Sequence, residues 1–202
     1  MSIPITIIIG LLGVLIGIWF QRRSWLLSIA EEVRVRETAD ASKLIDLIAE
    51  TFDKRIAIQR AFLYSIGDED RADYIDKYRE AVIEYAEKIN IVRSKLYFYF
   101  SYEEVLRYEQ ELHVRLVVNA EAISNLRNRY EELSSSGLSD NEVFRLNEDL
   151  SIISAKVFRY CQTLYVKVAK LEFGSLRTIH NWTDRSNDFV SSVKLLRRVL
   201  NI

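Results

Sequence analysis

One proline and six glycines in 202 residues supply too little turn chemistry for a fold of many short strands. The single cysteine, Cys161, excludes an internal disulfide framework and a cysteine-based zinc site. Two histidines, His113 and His180, leave little from which to build a histidine-rich metal centre. Neither sign of charge dominates: Lys+Arg 28 against Asp+Glu 29 gives a net charge of −1, so the chain lacks the basic excess of a protein that coats nucleic acid. There is no glycine-rich phosphate loop, no Gly-x-Ser-x-Gly elbow and no Glu-x-x-His pair of the ferritin-like kind. The length suits one domain, or one domain with an anchor.

What is present begins with Ile3–Phe20, eighteen residues without a charge. As a helix this run spans roughly 27 Å, enough to cross a hydrocarbon core. Met1-Ser2 carries no basic residue, and Trp19-Phe20-Gln21-Arg22 is a poor cleavage sequence, so the run reads as a retained anchor rather than a signal peptide. Arg22 and Arg23 follow it directly and Arg34 and Arg36 lie further on, while nothing basic precedes it. The positive-inside rule then puts the N-terminus outside and residues 21–202 in the cytoplasm, with Trp19 and Trp25 at the interface. Cys161 would stay reduced there, and the Asn181-Trp182-Thr183 sequon would be accidental. The expected division is an anchor at 1–21, a helical bundle at 22–174 and a C-terminal segment at 175–202.

The small residues of the run are ordered. Thr6, Gly10, Gly13 and Gly17 are spaced four, three and four apart, on one face of a helix, and Gln21 extends the line. Bulky apolar residues give helices in lipid no reason to associate, whereas a glycine face lets two backbones approach closely. This face is therefore the candidate for self-association, and in a ring of such helices it could line a narrow uncharged pore.

Beyond the anchor the pattern is helical nearly throughout. Ile75, Tyr78, Val82, Tyr85, Ile89, Val92, Leu96 and Tyr99 alternate steps of three and four. Leu112, Leu116, Asn119, Ile123, Leu126, Tyr130 and Leu133 form a second such seam, with Asn119 its one polar member, and Val143, Leu146, Leu150, Ile153, Val157, Tyr160 and Leu164 form a third. Seams of this period predict an all-α, antiparallel bundle of long helices. Ser101 with Glu104 and Ser139 with Glu142 read as capping boxes opening helices at 102 and 140. Ser134–Gly137 reads as a loop, Gly67–Asp70 as a turn between helices, and Gly174 as the end of the last long helix. From Phe20 to Ile66 no glycine or proline interrupts the chain, so the anchor is expected to continue into the first bundle helix, with a break near Glu37–Asp40 as the competing reading. The continuous arrangement puts the 97–102 corner and Gly174 at the same bundle end. Tyr97, Phe98, Tyr99, Phe100 and Tyr102 crowd that corner and read as a membrane-interface or partner surface, with corner packing as the plain alternative. Phe189–Leu200 reads as a basic amphipathic helix suited to an anionic membrane.

Arg107 and His113 give the one candidate catalytic pair. Their spacing resembles the R-x(4–6)-H motif of the HEPN superfamily, helical proteins that include many RNases. Those enzymes usually place a polar residue after the arginine, where this chain has Tyr108. Six helical steps rotate about 240°, so the two cannot share a face without a kink or a second copy. Arg177 with His180 is a weaker version of the same idea. Glu109 and His113 have the spacing of a surface ion pair, and Cys161 that of a small core residue.

The anchor, the all-helical remainder, the Leu96–Phe100 aromatic corner and the Arg107/His113 pair together resemble single-pass membrane effectors of prokaryotic defence loci. These include the HEPN-like membrane accessory proteins of type VI-B CRISPR systems. That resemblance implies a homo-oligomer in the bacterial inner membrane that permeabilises it during phage infection, set off by an activating protein or ligand from the same locus. From the residues no cofactor or metal is expected, nor direct nucleic-acid binding. A tethered scaffold without conductance is the alternative, and a HEPN-like RNase the third.

Overall fold

The computed structural model describes residues 5–67, 71–132 and 140–174, with side chains described from Gly10 onward except at Arg71. Every element among them is helical. Helix α1 runs from Ile5 to Tyr64 without a break at Glu37–Asp40 and ends in a tight turn, Ser65–Gly67. Helix α2 covers Arg71–Tyr99. Helix α3, Tyr102–Arg107, passes through a π-helical segment, Tyr108–His113, into α4, Val114–Glu132. Helix α5 is Asp140–Ala169. The chain divides at Ala39/Asp40 into an N-terminal unit and a bundle unit.

In the bundle unit, side-chain pairs give the direction of each helix. Lys54 meets Glu84, Phe52 meets Tyr85 and Asp40 meets Tyr99, so α1 and α2 are antiparallel. Arg93–Glu109 and Tyr85–His113 make α2 and the next helix antiparallel, and Arg129–Glu142 with Asn119–Leu146 do the same for α4 and α5. Arg60 on Asn147 and Tyr165 on Asp46 close the circuit between α5 and α1. The predicted antiparallel packing is what these pairs describe.

The core is continuous. Ala41, Leu44, Ile45, Ile48, Phe52 and Ile56 of α1 lie within it, with Leu96, Leu116, Ile123, Leu150, Val157 and Leu164 from the other helices. The first seam differs at one turn: Ala81 is buried where Val82 was expected, and Val82 is exposed. The helix takes its step of three before its step of four there, which puts the smaller side chain between Tyr78 and Tyr85. Cys161 is buried, with its thiol toward the Ile45 carbonyl, and burial pushes its pKa up to about 11.

One polar layer crosses the core. The Gln59 amide donates to Asn119 Oδ1 at 2.9 Å, and Asn119 Nδ2 donates to the Leu146 carbonyl at 3.1 Å. Three helices thus share one network, and a one-residue slip in any of them would leave buried amides unpaired.

The helix ends also depart from expectation. Ser101 Oγ accepts from the Glu104 N–H, as a capping serine should, but the Glu104 carboxylate turns inward to Lys167 instead of closing the box. Helix α5 stops before Gly174: Leu171 takes the left-handed conformation, φ 57°, with Leu171 N–H bonding Val168 O and Glu172 N–H bonding Lys167 O. That is the Schellman pattern with leucine at the usual glycine position. Gly174, also at positive φ, then donates to Tyr99 O, so the 97–102 corner and Gly174 do share a bundle end.

In the N-terminal unit, Arg23 lies over the Trp19 ring at 5.4 Å, and Glu31 pairs with Arg34 at 3.5 Å. No helix among the described residues is long and apolar enough to cross a membrane. Residues 3–9, the opening of the eighteen-residue run, lie outside the residues whose side chains are described, as does Thr6 of the glycine stripe. Ser134–Gly137, Ser139, His180, the sequon and Phe189–Leu200 also fall outside the described residues.

Asn119→Leu should destabilise the chain by about 1–3 kcal/mol, because it removes the shorter of the buried Gln59 amide's two hydrogen bonds and leaves the Leu146 carbonyl without its Asn119 donor. The double variant Gln59→Leu/Asn119→Leu should recover part of that loss. Simple additivity in denaturant titrations would count against a coupled layer.

Candidate functional site

The chemistry-bearing side chains gather where α2 packs against the π segment. That segment is built from five-residue hydrogen bonds, of which Val114 N–H to Glu109 O is one. Its core face is fixed by Tyr108 and Leu112, both buried. Tyr108 packs edge-on against Phe52 at 5.7 Å and lies 6.4 Å from Tyr160. With its inner face held this way, the turn presents Glu109 and His113 to α2.

His113 Nδ1 stands 3.0 Å from the Tyr85 hydroxyl, and the two rings stack at 5.7 Å with planes 13° apart. The neutral phenol has a proton to give, so the fitting tautomer carries its own proton on Nε2 and accepts at Nδ1. Glu109 does not pair with His113. It meets Arg93 of α2, Oε1 to Nε 2.6 Å, in a contact not aligned as a hydrogen bond. Burial first, then the Arg93 charge, hold His113 below the ordinary imidazole range, and Glu109 offsets this in part. Burial likewise raises Tyr85, and it pushes Tyr108 up to about 12. Both phenols stay protonated at neutral pH.

Arg107 is elsewhere. Its guanidinium reaches Glu104 at 3.7 Å and Glu103 at 3.6 Å, and Glu104 also pairs with Lys167 of α5. Glu104 is fully buried, Oε2 has no partner, and its backbone carbonyl accepts from the Tyr160 hydroxyl at 2.9 Å. Arg107 therefore belongs to a clasp between α3 and α5, and no hydrogen bond or ion pair joins it to His113. The π segment changes the rotation between them without bringing them together. The arginine whose charge His113 feels is Arg93. A pointer to the π segment lay in the spacing: Tyr108, Leu112 and Leu116 follow at two steps of four, one residue more than a 3.5-residue seam uses.

The aromatic corner separates into two roles. Tyr97, Phe98 and Tyr102 are exposed, Tyr99 is half-buried with its hydroxyl near Asp40, and Phe100 is buried against Phe173 at 6.1 Å. In the N-terminal unit, Gln21, Arg22, Arg23 and Trp25 are exposed. A Cβ added to Gly10, Gly13 or Gly17 would meet nothing within 4 Å. The large apolar side chains from Leu11 to Phe20 are 52–62% exposed on every face of the helix. No cluster of three His, Cys, Asp or Glu side chains able to hold a metal is found among the described residues.

The depressed His113 value has a definite consequence. The folded chain favours neutral imidazole, so this contribution to stability is present above pH ~6.5 and is lost as pH falls from there toward the folded value. His113→Gln should flatten that limb of the stability profile. In imidazole titrations followed by NMR, Arg93→Gln should raise the His113 midpoint and Arg107→Gln should leave it in place; equal shifts would contradict the geometry. No family model, no curated protein and no solved structure matches this chain, which leaves its function to be read from its own residues.

Proposed function

We propose that the chain is a single-pass protein of the bacterial inner membrane, with residues 21–202 in the cytoplasm, whose copies associate through the Thr6/Gly10/Gly13/Gly17 face to permeabilise the bilayer. The observation that carries this reading is the bareness of the helix from Gly10 to Phe20. Eight large apolar side chains, Leu11, Leu12, Val14, Leu15, Ile16, Ile18, Trp19 and Phe20, are each more than half exposed. Left in water they would forgo on the order of 10 kcal/mol of burial, close to the whole stability of a domain. An acyl-chain environment removes that penalty on all sides at once. Arg22 and Arg23 just beyond the run, with Arg23 held over Trp19, fit an inner headgroup boundary.

Self-association is supported by the open glycine face. Because nothing among the described residues occupies it, a neighbouring helix can approach there more closely than anywhere else on the run. The bundle would hold the assembly together and receive an activating protein or ligand encoded nearby. The defence setting comes from the architectural resemblance alone.

A second reading has its own support. Tyr97, Phe98 and Tyr102 at the corner, with Phe144 and Phe158 on α5, are large exposed aromatics of the kind that protein partners cover. A tethered scaffold would use these and need the run only as an anchor. The RNase reading is the least supported, since Arg107 and His113 take part in different contacts.

Gly13→Leu/Gly17→Leu should reduce the detergent-solubilised particle to a monomer and abolish dye leakage from vesicles. Since added side chains there meet open space, the bundle should unfold at its usual temperature. Intact oligomers and leakage in that variant would end the pore reading. Exchanging residues 1–21 for an unrelated span separates the first two proposals: a scaffold keeps its activity and a pore loses it.

A further inference from the structure

The helix carrying His113 holds one residue more than its seam requires. Tyr108, Leu112 and Leu116 are each about 1% exposed and four apart. In an unbroken α-helix the third would sit about 80° off the line of the first. The π segment absorbs that excess and returns all three to the core. A π turn is a rare, locally held geometry, and here the holding contacts on its polar side both come from α2. Arg93 meets Glu109 at the start of the turn, and Tyr85 meets His113 at its end.

Of the groups in those two contacts, His113 is the one that takes up a proton in mildly acid solution. The groups around His113 are Tyr85 and Arg93 from α2 and Glu109 from its own segment. On the inner side Tyr108 faces Phe52 of α1 and Tyr160 of α5, neither of them charged, and Arg55 of α1 acts on Tyr85. A proton taken from water at Nδ1 removes the imidazole acceptor of the buried Tyr85 hydroxyl, which keeps only its contact with Tyr108. It also sets an imidazolium beside the Arg93 guanidinium, whose counter-charge Glu109 is already engaged.

We propose that Tyr108–His113 is a proton-operated joint: neutral His113 holds the extra residue in the wide turn through Tyr85, and protonation releases that hold so that the turn tightens and α4 rotates relative to α3. One residue of slip turns α4 by about 100°. Asn119, six residues past the joint, then leaves Gln59 and the Leu146 carbonyl, so the core polar layer registers the change. The joint lies wholly within the bundle unit and depends on no part of the membrane reading.

The test is amide hydrogen exchange on the full chain in detergent micelles, read by mass spectrometry at pH ~7.5 and ~5.5 and corrected for the intrinsic pH dependence of exchange. Peptides covering 108–119 should lose protection at the lower pH by ~10-fold or more, against little change in peptides covering 150–164. His113→Gln, which can still pair with Tyr85 but takes no charge, should abolish the difference. Equal protection at both pH values, or the same acid loss in His113→Gln, overturns the joint. Tyr85→Phe gives an independent reading: the His113 midpoint should rise and the loss of protection should move to higher pH with it. An unchanged midpoint would equally overturn the proposal.

Discussion

The bundle depends on the burial of one stripe of α1. From Ala41 through Leu44, Ile45, Ile48, Phe52 and Ile56 to Leu63 and Ile66, each side chain is covered by the other helices. Phe52 sits at the crossing, edge-on to Tyr85 and to Tyr108 at 5.6 and 5.7 Å, so one ring ties α1 to two neighbours. A helix face leaves water only where another element lies against it. The same rule applied earlier in α1 gives the opposite result, because Leu11 to Phe20 has no such cover from the described residues. One helix therefore carries two solvation problems, and the described residues solve the second only.

Inside the bundle, specificity comes from polar groups placed where hydrophobic packing would tolerate error. Leucine and isoleucine seams can slide by a turn at small cost, whereas Gln59, Asn119 and the Leu146 carbonyl pair in one register. Glu104 works differently. It is a buried carboxylate at the start of α3, compensated by Lys167 and Arg107, and it fixes how α3 and α5 meet. Both cations reach solvent, so the cluster is weakly screened from water and its value lies more in geometry than in energy. The acidic first turn of α3 also suits the positive end of the helix, which lowers the cost of burying the charge there.

Much of this was legible from residue spacing. Seam positions predicted as core are core at Tyr85, Ile89, Val92, Leu96, Leu116, Ile123, Leu150, Val157 and Leu164, since a heptad-like repeat has one way to face a neighbour. The departures arise where periodicity alone underdetermines the turn. Steps of three and four can be taken in either order, so Val82 and Ala81 exchanged places. The stop of α5 rests on tertiary cover: Leu171 packs against the core and holds a conformation that sequence preference reserves for glycine. Glu104 left its capping role because Lys167 lies across the bundle, 63 residues away in the chain. The pairing of Arg107 and His113 was open for a similar reason: spacing along a helix says nothing of which neighbours arrive from α2 and α5.

The glycines of α1 carry the last step. Each glycine inside a helix forfeits about 1 kcal/mol relative to alanine, so Gly10, Gly13 and Gly17 together give up about 3 kcal/mol. A glycine usually offsets this by admitting another group of its own chain, or by a conformation closed to other residues. Here all three are helical, and a Cβ at any of them would touch nothing among the described residues. Under the proposed self-association the compensation comes from outside the chain. Lipid tails gain little from a glycine in place of alanine, because a fluid neighbour fills either surface. A second helix does gain, since a fixed backbone packs against a fixed groove, and spacings of three and four keep that groove straight along the helix. Under that proposal, another copy of the same chain brings the same groove to the same depth.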